Sequence, residues 1–196
     1  MESRRLDYVV LNQGNAQLTE LYRAHIGDWP KFYKMDTLSK AGFVATELLL
    51  RKVGERRCGS EEFVRSRAIV LFGSTASLCA DRNYQETIQD KENYYPSPAL
   101  FVYTLPNIVT GEIAIRNHWR GETSFYVLEE PDASQMAFHL ACSFQDAETE
   151  SILAGWVDSR MTDDFQVFMT LISREDAADT EWLAGQLQLM INNLNK

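Results

Sequence analysis

Ala68-Ile69-Val70-Leu71-Phe72 is an uninterrupted apolar run that stops at Gly73. A strand with one wet face alternates apolar and polar residues. A strand covered on both faces does not, and such strands belong to parallel sheets with helices on either side. The same grammar extends outward from this run. Ser151-Ile152-Leu153-Ala154-Gly155 reads as another buried strand and residues 165–172 (FQVFMTLI) as a further one with some alternation. Ser124-Phe125-Tyr126-Val127-Leu128 reads as a strand, and residues 6–12 (LDYVVLN) as an edge strand or lead-in segment.

Helical patterns lie between these strands. Residues 36–53 place Leu38, Ala41, Phe43, Ala45, Leu48 and Leu49 on a broad apolar face, with Asp36 or Ser39 as N-cap and Gly54 as the stop. Residues 77–92 read as a polar helix, residues 98–118 as a mixed stretch around Pro106-Asn107, and residues 29–33 as an aromatic turn. Pro131 opens a helix over residues 131–144, where its missing N–H is harmless. That helix has a large stripe (Met136, Leu140, Phe144) and a small one (Ala133, Ala137, Ala141), which predicts a central position. Residues 178–194 carry Leu183, Leu187, Met190 and Leu194 on one side. Strands alternating with helices predict an α/β fold, with a mixed, mostly parallel sheet between helices. No repeat, low-complexity tract or linker interrupts residues 1–196, which read as one domain.

The composition narrows the function. The 196 residues carry a formal charge of −9 with 45% hydrophobic content. The densest basic cluster, Arg51, Lys52, Arg56 and Arg57, is interrupted and followed by glutamates, which fits a solvated helix end and not a nucleic-acid stripe. No apolar run reaches the ~18 residues of a membrane span, and the charged start predicts no leader, so a cytoplasmic protein is expected. Cys58, Cys79 and Cys142 are widely spaced, with no metal-ligand pattern. Gly73-Ser74 lacks a phosphate-loop lysine, and Ser74 and Ser77 lack a nucleophile-elbow context. Neither cofactor nor metal is expected.

Five segments, in order, resemble β-ketoacyl synthases and the related chain-length-factor proteins. They are Lys34-Met35-Asp36 with Leu38-Ser39-Lys40 and Ala45-Thr46-Glu47-Leu48; Leu71-Phe72-Gly73-Ser74-Thr75-Ala76-Ser77; Ser97-Pro98 and Phe101 followed by residues 105–115 (LPNIVTGEIAI); Gly121-Glu122-Thr123 with strand 124–128; and Ile152-Leu153-Ala154-Gly155. The resemblance covers most of residues 34–173. It implies a single thiolase-like half, a five-stranded mixed sheet between helices, where the full family fold has two such halves.

In that family the nucleophilic cysteine sits where the strand meets the central helix. The helix N-terminus lowers a thiol pKa there and places it beside oxyanion donors. The equivalent junction in this chain is Glu129-Glu130-Pro131, with Glu130, or Glu129 by a one-residue shift, at the nucleophile position. His118 and His139 match no catalytic position. The resemblance therefore implies a non-catalytic partner, similar to a chain-length factor, in a fatty-acid, polyketide or aryl-polyene condensing system. The alternative is an acyl-handling enzyme, a decarboxylase or acyltransferase, using Glu129, Glu130 or Cys79. In the family the strand equivalent to Ser124, Phe125, Tyr126, Val127 and Leu128 meets a symmetry mate. Here it is apolar and carries no protecting charge. A homodimer or a heterodimer with a ketosynthase is expected, with acyl carrier protein as a further partner.

Overall fold

The apolar run at 68–72 forms strand β2 (Arg67–Gly73), second from one edge of a five-stranded sheet. A computed structural model describes residues 4–12, 14–55, 63–161 and 163–194. The strand order is β1-β5-β4-β2-β3. β2 lies parallel to β3 (Thr123–Val127) on one side and to β4 (Ser151–Met161) on the other. The hairpin partner of β4, β5 (Asp164–Ser173), is antiparallel, and so is β1 (Tyr8–Leu11) on the far edge. The sheet is mixed, parallel in its β3-β2-β4 half and antiparallel in the rest.

Successive residues of a strand point to opposite faces. Ile69, Leu71, Leu153, Val157, Val167 and Met169 enter one core layer, under α1 (Asn15–His25), α2 (Thr37–Lys52) and α5 (Ile108–Asn117). Ala68, Val70, Phe72, Ile152, Ala154 and Trp156 enter the other, under α6 (Ala133–Ser143) and α8 (Thr180–Leu194). Both faces are covered, which is why the strands read as continuous apolar runs. Three short α-helices, α3 (Leu78–Glu86), α4 (Pro98–Val102) and α7 (Arg174–Ala177), and a 3-10 helix at Pro30–Lys34 complete the described chain.

Local signals place most boundaries as expected. Asp36 caps α2 by accepting from the Ser39 amide at 3.0 Å, and Gly54 after its end has φ +72°. Other boundaries differ for identifiable reasons. α6 starts after Pro131, because Asp132 takes the N-cap and its carboxylate accepts the Ser134 and Gln135 amides at 2.9 Å each. The polar helix expected over 77–92 ends at Glu86. β4 continues six residues beyond Gly155, because β5 pairs across Trp156, Val157 and Asp158. Helix α1 has no broad apolar face to announce it. It is held by Leu18 and Tyr22, both buried, with Tyr22 stacked on Phe32 at 4.0 Å. Of the basic cluster, Arg51 and Lys52 end α2, while Arg56, Arg57 and Cys58 lie outside the described residues.

Gly155 is a packing requirement inside β4. A Cβ there would stand 2.2 Å from the Phe168 carbonyl oxygen and 2.6 Å from Met169 Sδ. Gly155→Ala is expected to cost about 2 kcal/mol by overpacking, read as a lower midpoint in urea.

Candidate functional site

A five-stranded open sheet has two edges, and this chain treats them differently. β1 is four residues long, and Lys52 Nζ reaches across to the Tyr8 carbonyl at 3.1 Å. Among the described residues β3 has no such cover. Val127 is 58% exposed, and no residue from Thr123 to Val127 is charged. Its side chains are nonetheless held from both sides. Phe125 packs against the layer of α2 and α5. Tyr126 stacks on Phe72, with ring centroids at 5.4 Å, and on His139 of α6, at 4.4 Å. The free backbone groups of this edge are thus presented on a strand whose position is already set, the arrangement that accepts another strand.

The chain leaves β3 through Leu128, whose amide donates to the Gly73 carbonyl at 3.0 Å. Glu129 and Glu130 follow, both exposed. The next group is Asp132, and it occupies the N-terminus of α6 with its own carboxylate. Besides the two amides, Asp132 Oδ2 accepts from Gln135 Nε2 at 3.1 Å. The Gln135 amide, the Gln135 side chain and the Ser134 amide hold this carboxyl below its ordinary range. The first free amides of α6 are therefore taken by the chain's own carboxylate. Cys142 lies ten residues along α6, about 15 Å away at 1.5 Å per residue, in a shallow groove with α8. Cys79 sits in the first turn of α3, beside Lys40 and Asn83. His139 is a packed, half-buried helix residue, and His118 ends α5 in a left-handed turn at φ +56°.

The turn after β2 also receives a carboxylate. Asp158, on β4 and 4% exposed, accepts from Ser74 Oγ at 2.6 Å, Thr75 Oγ1 at 2.6 Å, and the Thr75 and Ser74 amides at 2.9 and 3.2 Å. The turn at Ser74 and Thr75 is an anion cradle in geometry, and the anion it holds is the chain's own Asp158. Sequence reading missed Asp158 because its four donors lie more than eighty residues upstream.

A small cavity of about 180 Å³ lies beside the N-terminus of α2, lined in part by Asp36, Lys40, Cys79 and Tyr103. Burial pushes the Asp36 carboxyl up, against hydrogen bonds from Ser39 and attraction from Lys40. Burial lowers the Lys40 ammonium, which Asp36 opposes, and pushes the Tyr103 hydroxyl up to about 12 with help from Glu112 and Asp36. Among the described residues no group of three or more His, Cys, Asp or Glu is placed to hold a metal ion. No helix among them is long and apolar enough to cross a membrane.

No protein-family model and no curated protein matches this sequence. Solved structures do match. The ishigamide ketosynthase/chain length factor superposes with a TM-score of 0.61 at 15% identity, over 78% of this chain and 48% of that one. A ketosynthase in complex with its chain length factor from Xenorhabdus doucetiae gives a TM-score of 0.54 at 13% identity, over 95% of this chain and 92% of the matched chain. The fold is thiolase-like. A β-ketoacyl synthase from Burkholderia phymatum STM815 also shares it, at TM-score 0.51 and 16% identity, over 79% of this chain and 47% of that one. The chain thus spans about half the length of two of these three proteins. In this sheet β2, β4 and β5 are the inner strands, and β1 and β3 are the edges.

Proposed function

We propose that this chain is a non-catalytic, chain-length-factor-like subunit that pairs through β3 with a ketosynthase of an acyl-chain condensing system. The observation that carries the reading is the junction after β3. Exposed Glu129 and Glu130 stand at the position that the sequence resemblance gives to the nucleophilic thiol, and Asp132 caps the helix N-terminus beside them. The open β3 edge supports the partner half of the reading, and so do the solved relatives, which include a ketosynthase in complex with its chain length factor. An acyl carrier protein is a further expected partner of the assembled pair.

The test is recovery of the tagged protein from its native cells, with its companions identified by mass spectrometry. A ketosynthase carrying its junction cysteine is expected. Val127→Lys places a charge on the open edge and should weaken that association at least about tenfold, equivalent to ~1.4 kcal/mol. Recovery of the wild-type protein without a ketosynthase would remove the reading. The other expectation, acyl chemistry at Glu130 or Glu129, is checked in the same preparation. Malonyl-loaded carrier protein incubated with the isolated chain should keep its mass, whereas loss of carbon dioxide abolished by Glu130→Gln would establish a decarboxylase.

A further inference from the structure

A cavity of about 160 Å³ lies among α1, α2 and α5, and charged groups line it. Glu47, Leu50 and Arg51 of α2 face it together, because residues three and four apart share a helix face. Arg116 of α5 also lines it, with Ile26 and Asp28 from the segment that leaves α1. Arg116 is 3% exposed and Glu47 7%. The Asp28 side chain is half-exposed, so the cavity meets solvent there.

An ion triad fixes the two buried groups. Arg116 Nη2 donates to Glu47 Oε2 at 3.3 Å and to Asp28 Oδ1. The guanidinium also lies over the Trp29 and Phe43 rings, at 5.2 and 5.8 Å from their centroids, so it is held from several directions. The triad leaves two atoms unsatisfied. Among the described residues, Glu47 Oε1 has no donor and Arg116 Nε has no acceptor, although both atoms are buried. A buried charged group that lacks a partner is costly, and a native site ordinarily supplies one.

The lining selects that partner. A missing donor and a missing acceptor, on two residues that already touch, call for a molecule that carries both. Glu55 reaches the cavity too, but Arg67 holds its carboxylate. Asp28 and Glu47 then stand against Arg51 and Arg116, a lining of no net charge that favours neither a plain cation nor a plain anion. A zwitterion meets both needs through charge-assisted hydrogen bonds, roughly twice as strong as neutral ones. Water also bridges such atoms, but one water takes only about 30 Å³ and the cavity has several times that room. Ile26 and Leu50 add an apolar wall that suits a short aliphatic side chain.

We infer that this cavity binds a small zwitterionic amino acid, its ammonium donating to Glu47 Oε1 and its carboxylate accepting from Arg116 Nε, with Arg51 at the rim. The site lies wholly within this chain, so the isolated protein serves for the test and the ketosynthase pairing stands or falls separately. Isothermal titration calorimetry with glycine and with L-alanine should show saturable binding at millimolar concentrations. Methylammonium and acetate, which each carry one of the two charges, should bind at least about tenfold more weakly. Glu47→Gln removes the charge that receives the ammonium and should weaken glycine binding at least about tenfold. Arg51→Ala, at an exposed position outside the buried triad, should weaken it about threefold. Melting curves confirm that each variant is folded, and Arg51→Ala keeps the test open if Glu47→Gln is not. Absence of saturable binding by either amino acid means that water fills the cavity and overturns the inference. Methylammonium binding as tightly as glycine overturns the choice of a zwitterion, and unchanged glycine binding in the folded variants overturns the assignment to this cavity.

Discussion

Leu187→Ala in α8 is expected to lower the free energy of unfolding by about 3 kcal/mol, and Leu187→Asp to leave no folded protein at 37 °C. Leu187 is fully buried, and with Leu183, Met190, Ile191 and Leu194 it joins the core layer that holds Phe168 and Ile172, where α8 packs against β5, β1 and α6. Shortening the side chain removes transfer energy and leaves a cavity between helix and sheet that a fifteen-residue helix, also packed on α6, cannot fully collapse. Chemical denaturation followed by circular dichroism measures the loss. A change below about 1 kcal/mol would mean that α8 is loosely docked and that this face is closed by something else.

Asp158→Ala carries the second large effect, on the order of 3 kcal/mol. Hydrogen bonds to a charged acceptor are stronger than neutral ones, and this carboxylate receives four within a largely buried turn. Its removal leaves the Ser74 hydroxyl and two amides without their acceptor, while the Thr75 hydroxyl keeps the Ser159 carbonyl at 3.1 Å, in a turn that already holds Ala76 at φ +48°. Asp158→Asn keeps one acceptor oxygen and replaces the other by a donor facing the same donors, so it should cost about half as much. Urea midpoints of the two variants, with unchanged slopes, would place the effect in the folded state. Equal, negligible costs for both would mean that water replaces the carboxylate readily and that the turn is held by the β2–β4 pairing alone.

The sequence by itself determined the layering and most of the elements. Unbroken apolar strands at 68–72 and 151–155 required cover on both faces, and the stripe Leu183, Leu187, Met190, Leu194 identified a helix that could supply it. Asp36 and Gly54 marked the ends of α2 because capping is local chemistry, decided within four residues. The junction Glu129-Glu130-Pro131 was also legible, because it follows directly on a strand and precedes a helix.

Only the tertiary structure decided what depends on distant partners. Which way β5 and β1 run, and how far β4 continues past Gly155, is settled by pairing between strands. Asp158 became a structural anion only when β2 and β4 came side by side and set its carboxylate against the turn at Ser74 and Thr75. The exposure of Phe101, Leu105, Ile115 and Val127 could not be read from a pattern at all. An apolar residue looks the same in sequence whether its own fold covers it or leaves it for another chain, and the difference lies in the geometry of what packs around it.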